Sequence, residues 1–236
     1  GYFGSYEDLA YLYLMTDRYE EAATELETVI RLAPGHDPSY NALGAVYYSL
    51  DRWDEAIEMF ERSYDLERDN HAAISNLGTL YYMGGRFEDA AGMFELAAAY
   101  FDSSHTVLGN LAAALRWIPE RRTDYERALA RATYLAELKL ANDPEDAELL
   151  SFLAGYYAAV DSVRALRLAR RAADLAPDDP EVIYRVAVAH EEAGDRTRAL
   201  AYLGTAIQLG CALREVENEP LLEQLRQDSR YAYLVP

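Results

Sequence analysis

The feature that most constrains this chain is a 34-residue pattern written twice in succession over residues 37–104. Tyr40, Leu43, Gly44, Tyr47, Ala56 and Phe60 recur as Ile74, Leu77, Gly78, Tyr81, Ala90 and Phe94, each 34 positions further on. A period of this length marks helical pairs that stack on one another, because one pair alone leaves an apolar stripe that only a neighbour can bury. The anchors continue along the chain. A small residue in the first helix and an alanine in the second fall at Ala10 and Ala22, Gly44 and Ala56, Gly78 and Ala90, Ala112 and Ala128, Ala154 and Ala165, and Ala187 and Ala199. The step inside a pair is 12 residues in four cases, 16 in the fourth pair and 11 in the fifth; the step to the next pair is 22, except 26 after Ala128. Small residues let one helix approach another and the aromatics fill the space beside them.

Turn signals punctuate the pattern. Thr16-Asp17, Met83-Gly84-Gly85 and Ala193-Gly194-Asp195 fall inside pairs; Pro34-Gly35 and Pro177-Asp178-Asp179-Pro180 fall between them. Pro38, Pro144 and Pro180 suit a first helical turn, where no amide hydrogen is needed. The closing proline, present as Pro34 and Pro177, is replaced by Arg68, Asp102 and Cys211 in the second, third and sixth units. In the fourth unit Arg116-Trp117-Ile118-Pro119 ends the first helix, and the Thr123-x-x-Glu126 spacing predicts a capping box that opens the second. The four additional residues before Ala128 lengthen the turn, and the four after it add about one helical turn.

The spacing Tyr40-x2-Leu43-Gly44-x2-Tyr47…Ala56-x3-Phe60 resembles the tetratricopeptide repeat, and the resemblance covers nearly the whole chain. It implies an all-α fold: a right-handed superhelix, or α-solenoid, of six helical hairpins. The expected boundaries are 3–36, 37–70, 71–104, an irregular 105–144, 145–178 and 179–211, with capping helices over 212–236. A repeat array needs an atypical terminal element over its last open face. The tail run from Pro220-Leu221 to Arg230-Tyr231 is similar to the one that closes such arrays on bacterial serine/threonine kinases and related signalling proteins.

Net charge is −19, from 41 acids and 22 bases, and Lys139 is the one lysine. Duplex nucleic acid and anionic membranes need clustered cations, so neither is an expected partner. The acids concentrate early: residues 1–104 hold 20 acids and 6 bases, residues 105–180 hold 12 and 10. The single cysteine, Cys211, excludes an internal disulfide and a multi-cysteine metal site. No apolar run approaches the roughly 18 residues of a membrane span. The opening Gly1-Tyr2-Phe3, without methionine, reads as a piece cut from a longer protein or a processed terminus; compartment is left open, with the cytoplasm favoured.

Nothing in the sequence assembles a catalytic site, a metal site or a cofactor site. His36, His71 and His105 sit 35 and 34 apart, as helix-entry residues at repeat joints. Packed helices lie about 8–10 Å apart, too far for one zinc ion with bonds of about 2.0–2.1 Å to bridge that ladder. Paired acids such as Asp54-Glu55 and Glu88-Asp89 fall at helix starts, where they complement the helix dipole. Gly84-Gly85 is a turn, with no strand before it to make a phosphate cradle.

The expected function is therefore protein–protein interaction. In the family the first helix of each unit lines a concave groove, and some members grip a peptide's terminal carboxylate there with Lys, Asn and Arg. The matching positions read Asn41, Ala45, Asn76, Thr106 and Asn110; Asn76 alone fits, and no cation is present, so an extended peptide with apolar side chains is the better expectation. Tyr11, Asn41, Tyr48, Ser75, Thr79, Tyr82 and Trp117 would line the groove, while Tyr47 and Tyr81 occupy packing positions. Whether the tyrosine stripe is groove or core stays open at this level. An alternative docking patch for an acidic partner is the arginine band, with Arg116, Arg121, Arg122, Arg164, Arg167 and Arg171. The context favoured is a bacterial signalling protein; the rival is a self-assembling or structural module of an envelope or secretion machine.

Overall fold

The structure, a computed structural model, describes residues 3–101 and 103–235. Gly1, Tyr2 and Pro236 lie outside them, as does Asp102, and with it the replacement of the third closing proline. Among the described residues there is no strand. Helices follow in antiparallel pairs: α1 (Gly4–Leu14) and α2 (Tyr19–Leu32), α3 (Asp37–Ser49) and α4 (Trp53–Leu66), α5 (His71–Met83) and α6 (Phe87–Tyr100). Then come α7 (His105–Leu115) and α8 (Arg122–Leu140), α9 (Ala147–Ala158) and α10 (Ser162–Leu175), α11 (Pro180–Glu192) and α12 (Arg196–Gln208). Two short helices, α13 (Leu213–Asn218) and α14 (Glu223–Arg226), lead to a final 3-10 turn at Tyr231–Tyr233.

Local chemistry sets these boundaries. Asp17, Asp51 and Gly85, each 34 residues from the last, turn the chain inside their pairs with φ of 54°, 63° and 72°. This left-handed region suits Gly, Asn and Asp. Gly194 does the same in the sixth pair with φ of 84°. Asp146, Asp161, Asp179 and Asp195 cap the helices that follow them by accepting backbone amide hydrogens. Pro38 and Pro180 occupy first-turn positions, whereas Pro144 lies in the turn before α9 and Asp146 makes the cap there.

The capping box expected at Thr123 is not formed. The chain enters a 3-10 turn at Pro119–Arg121 and α8 begins at Arg122, so Thr123 is already inside the first helical turn. Glu126 pairs with Arg122 at 2.8 Å. With 19 residues, α8 is longer than the other second helices, which have 13 or 14.

The chain divides into two compact units. The first takes in the described residues up to Tyr82, with Glu88–Ala97; the second takes in Met83–Phe87 and the described residues from Ala98 onward. In the first unit the repeated glycines carry the helix crossings. A Cβ built on Gly44 would lie 2.8 Å from the Phe60 ring, and one on Gly78 would lie 2.6 Å from the Phe94 ring. Both rings are buried, so the space a side chain would need is already filled.

In the second unit Leu150, Ala154, Ala187, Leu203 and Ala206 build a core between successive pairs. Val216, Leu222 and Leu225 from the tail join the same core, with Ile207 packed at its edge, so the C-terminal segment covers the face of the last pair. Cys211 is buried there as well, and burial pushes its thiol up to about 12.

Gly44→Leu and Gly78→Leu should each cost about 3 kcal/mol, because the added side chain meets a buried ring that cannot withdraw. Gly92, in a helix with open space at its Cβ position, is the control: Gly92→Ala should be neutral or stabilising by up to about 1 kcal/mol. Urea unfolding of the three variants checks this, and glycine-to-leucine losses below about 0.5 kcal/mol would place those crossings at the surface. A chain ending at residue 213 should melt earlier or self-associate, since it bares Leu203 and Ile207; an unchanged melt of a monodisperse sample would show that the tail covers nothing.

Candidate functional site

The surface is built outward from the joints between pairs. In the first unit the Tyr47 hydroxyl donates to Glu27 Oε1 of the preceding second helix at 2.9 Å, and the Tyr81 hydroxyl donates to Glu61 Oε1 at 2.6 Å. In the second unit the Tyr157 hydroxyl donates to Glu137 Oε1 at 2.6 Å. The offset is 20 residues each time. An arginine covers the ring: Arg52 lies 4.2 Å from the centroid of Tyr47, and Arg164 lies 4.1 Å from that of Tyr157. Arg52 also pairs with Glu55, and Arg164 with Glu137. Burial, and then the facing glutamate, push the Tyr47 and Tyr157 hydroxyls up to about 12, so both stay protonated donors. Tyr47 and Tyr81 are thus packing residues, and the 20-residue Tyr–Glu offset is the sequence signal of their pairing.

The expected groove residues occupy first helices. Tyr11 is on α1, Asn41 and Tyr48 on α3, Ser75, Thr79 and Tyr82 on α5, all in the first unit. Tyr11 and Thr79 are exposed; Asn41, Tyr48, Ser75 and Tyr82 are half-buried. Asn41 Oδ1 is buried and accepts no hydrogen bond among the described residues. Tyr48 lies 6.3 Å from Trp53, whose indole donates to Asp51. The Thr79 hydroxyl donates to the carbonyl of Ser75 at 3.1 Å. Trp117 belongs to the second unit, where it stacks on Phe87 at 5.3 Å.

The arginine band splits. Arg116, at the end of α7, pairs with Glu192 at the end of α11, 76 residues away. Glu192 is almost wholly buried; burial raises its pKa and the Arg116 guanidinium pulls it back down. Arg121 pairs with Asp124 at 2.9 Å and Arg122 with Glu126. Arg164 is held by Glu137 and Tyr157 as described. Arg167 and Arg171 are exposed on α10 and make no ion pair among the described residues. Beside this band a groove of about 650 Å³ opens along α8, lined by Tyr125, Tyr134, Tyr156, Tyr157, Arg116 and Arg122 among others.

Two of the histidines are held by neighbouring side chains. His36 bonds Ser39 at 2.7 Å and lies 3.2 Å from Glu7. His105 begins α7 and lies 3.3 Å from the Tyr156 hydroxyl, and burial lowers its pKa. Among the described residues no three His, Cys, Asp or Glu side chains converge to hold a metal ion, and no helix is long and apolar enough to cross a membrane.

The tetratricopeptide repeat family model matches residues 4–69 and again 38–103, in the 34-residue register seen in the packing. Together the two matches span residues 4–103. The fold of the whole chain is similar to that of solved repeat proteins. A tetratricopeptide repeat protein from Parabacteroides merdae is 13% identical, with TM-score 0.61, covering 98% of this chain and 90% of that one. The Pseudomonas aeruginosa pilF protein is 18% identical, with TM-score 0.57, covering 91% and 95%. A thermophilic repeat protein of Thermus thermophilus is 22% identical, with TM-score 0.56, covering 84% and 98%. A comparison with curated proteins gives no match. Proteins with tetratricopeptide repeats generally mediate contacts between proteins.

Arg116→Ala should leave Glu192 as a buried charge without its partner, at a cost of about 3 kcal/mol at pH 7. The sign of the pH dependence follows. Without Arg116 the folded carboxyl rises further above the unfolded value of about 4.3, so folding takes up a proton as pH falls. The loss should therefore shrink between pH 7 and pH 5, in urea unfolding at both pH values. A loss that does not change with pH would mean that Glu192 is hydrated.

Proposed function

We propose that this repeat array binds an extended peptide segment of a partner protein along the first helices α1, α3 and α5. The observation that carries this reading is the contrast between neighbouring tyrosines. Tyr47 and Tyr81 are buried and bonded to glutamates of the preceding helices, while Tyr48 and Tyr82, one residue on, stay half-exposed, and Tyr11 on α1 is exposed. Tyrosine is a common anchor at interfaces because it buries much area at little rotamer cost. Asn41, half-buried on α3, supplies its side-chain amide for the ligand backbone. Glu7, Asp8 and Asp51 favour basic flanks on the ligand over acidic ones. Neither nucleic acid nor catalysis enters this reading.

The setting we favour is a larger bacterial signalling protein, supported by the likeness of the run from Pro220 to Tyr231 to kinase-attached arrays. Assembly of the chain with itself, in an envelope or secretion machine, is the rival reading. Exposed Tyr6, Leu9 and Leu12 on α1 support it, and a homo-oligomer would be its sign.

A displayed library of unstructured peptides selected against the chain tests the site. Selected peptides should carry apolar or aromatic side chains with basic flanks. Tyr48→Ala and Tyr82→Ala should each weaken them by about 1–2 kcal/mol, roughly 5- to 30-fold in Kd, with the fold intact. Unchanged affinity in well-folded variants would move the site to the arginine band and the α8 groove. A sharp loss of melting temperature would make both rings core.

A further inference from the structure

The joints inside the first unit share one construction, and α1 presents the same construction with its other half missing. On α3 the residues Tyr40, Leu43 and Val46 are 7%, 2% and 0% exposed. The residues 34 positions earlier, on α1, are Tyr6, Leu9 and Leu12, and they are 37%, 38% and 55% exposed. On α5 the equivalents Ile74, Leu77 and Leu80 are again buried. All three helices keep large apolar side chains at these positions. Both α1 and α3 are followed by their own second helix and by another pair. They differ in that α3 has a helical pair packed ahead of it, through α2.

The polar half of the joint repeats the pattern. Tyr47 and Tyr81 donate to glutamates 20 residues earlier, Glu27 and Glu61. Tyr13 is their equivalent, and Arg18 already lies 4.3 Å over its ring, as Arg52 lies over Tyr47. Arg18 pairs with Glu21 as Arg52 pairs with Glu55. The Tyr13 hydroxyl has no hydrogen-bond acceptor among the described residues. Its acceptor would stand 20 positions earlier, ahead of Phe3. In the second unit, by contrast, the outer face of the last pair is covered by Val216, Leu222 and Leu225.

We infer that the exposed face of α1 is a repeat joint, seated in the working protein by a helical pair that precedes Phe3 in the same polypeptide, whose second helix offers a carboxylate to the Tyr13 hydroxyl. The consecutive register favours this occupant. Each observed joint in the first unit links pairs through a turn of four residues, Ala33–His36 and Glu67–Asn70, and keeps the 34-residue step.

The test is to lengthen the chain in register. One copy of residues 37–70 is placed directly before Phe3, which sets the copied Glu61 20 positions ahead of Tyr13. A second extension uses a copy of residues 3–36, which sets Glu27 at the same place, so that one poorly folding extension does not decide the matter. At least one extended chain should melt in a single transition about 5 °C above the parent. Tyr13→Phe should lower the midpoint of that extended chain by about 2 °C and leave the parent unchanged. The parent should stay monomeric across a dilution series in sedimentation. The inference is overturned if both extensions melt separately from the parent array or at its temperature, or if Tyr13→Phe is silent in the extended chain. It is equally overturned if the parent dimerises and Leu12→Asp abolishes the dimer, which would give the face to a second copy. None of these readouts involves the peptide surface at Tyr48 and Tyr82, so failure here leaves that reading standing.

Discussion

The structure depends on how closely two helices can approach when one of them carries no side chain. Phe60 lies where a Cβ on Gly44 would be, and Phe94 stands in the same relation to Gly78. Each ring buries its area only because the facing helix offers a flat backbone. That contact sets the spacing within a pair, and the spacing sets which side chains of the next pair meet. The second unit reaches closeness another way. The ring of Tyr156 lies against Gly109, where an added Cβ would overlap the hydroxyl, and that hydroxyl donates to the carbonyl of His105.

Between pairs the apolar contact is joined by a polar one. Tyrosine reaches back to a glutamate of the preceding second helix, and arginine covers the ring and pairs with a carboxylate nearby. Such a joint is directional. It is satisfied only when the neighbour arrives in register, since a slip of one residue carries the carboxylate to another face of its helix. Partly buried, charge-assisted hydrogen bonds contribute more specificity than net stability. The apolar stripe supplies attraction between pairs and the Tyr–Glu bond selects the register.

These commitments also sort the surface. Several residues that looked available for a partner are engaged inside the molecule: Arg116 with Glu192, Arg164 with Glu137 and Tyr157. Others remain presented, such as Tyr11, Thr79, Arg167 and Arg171. The helices that carry these groups are fixed by packing on their other faces, so engaging them would cost side-chain ordering but little backbone ordering.

The sequence alone determined the helical pairs, because the 34-residue period records positions where packing tolerates only small or only large side chains. Gly44, Gly78, Tyr47 and Tyr81 could be assigned to packing from spacing, and so could the irregularity around Ala128. The entry into α8 could not. The Thr123-x-x-Glu126 spacing is a local signal, and the 3-10 turn beginning at Pro119 overrode it by starting the helix two residues earlier. The arginine band was legible as composition but not as chemistry. Arg116 and Glu192 are 76 residues apart, so their meeting is a product of how α7 and α11 come to rest in the second unit. Likewise, Tyr47 and Tyr48 are adjacent and identical in type, and only the position of a neighbouring helix buries one and leaves the other half-exposed. Periodicity determines which residues must be packed, whereas tertiary structure decides which of the remainder are already paired, because pairing depends on distances that no linear spacing encodes.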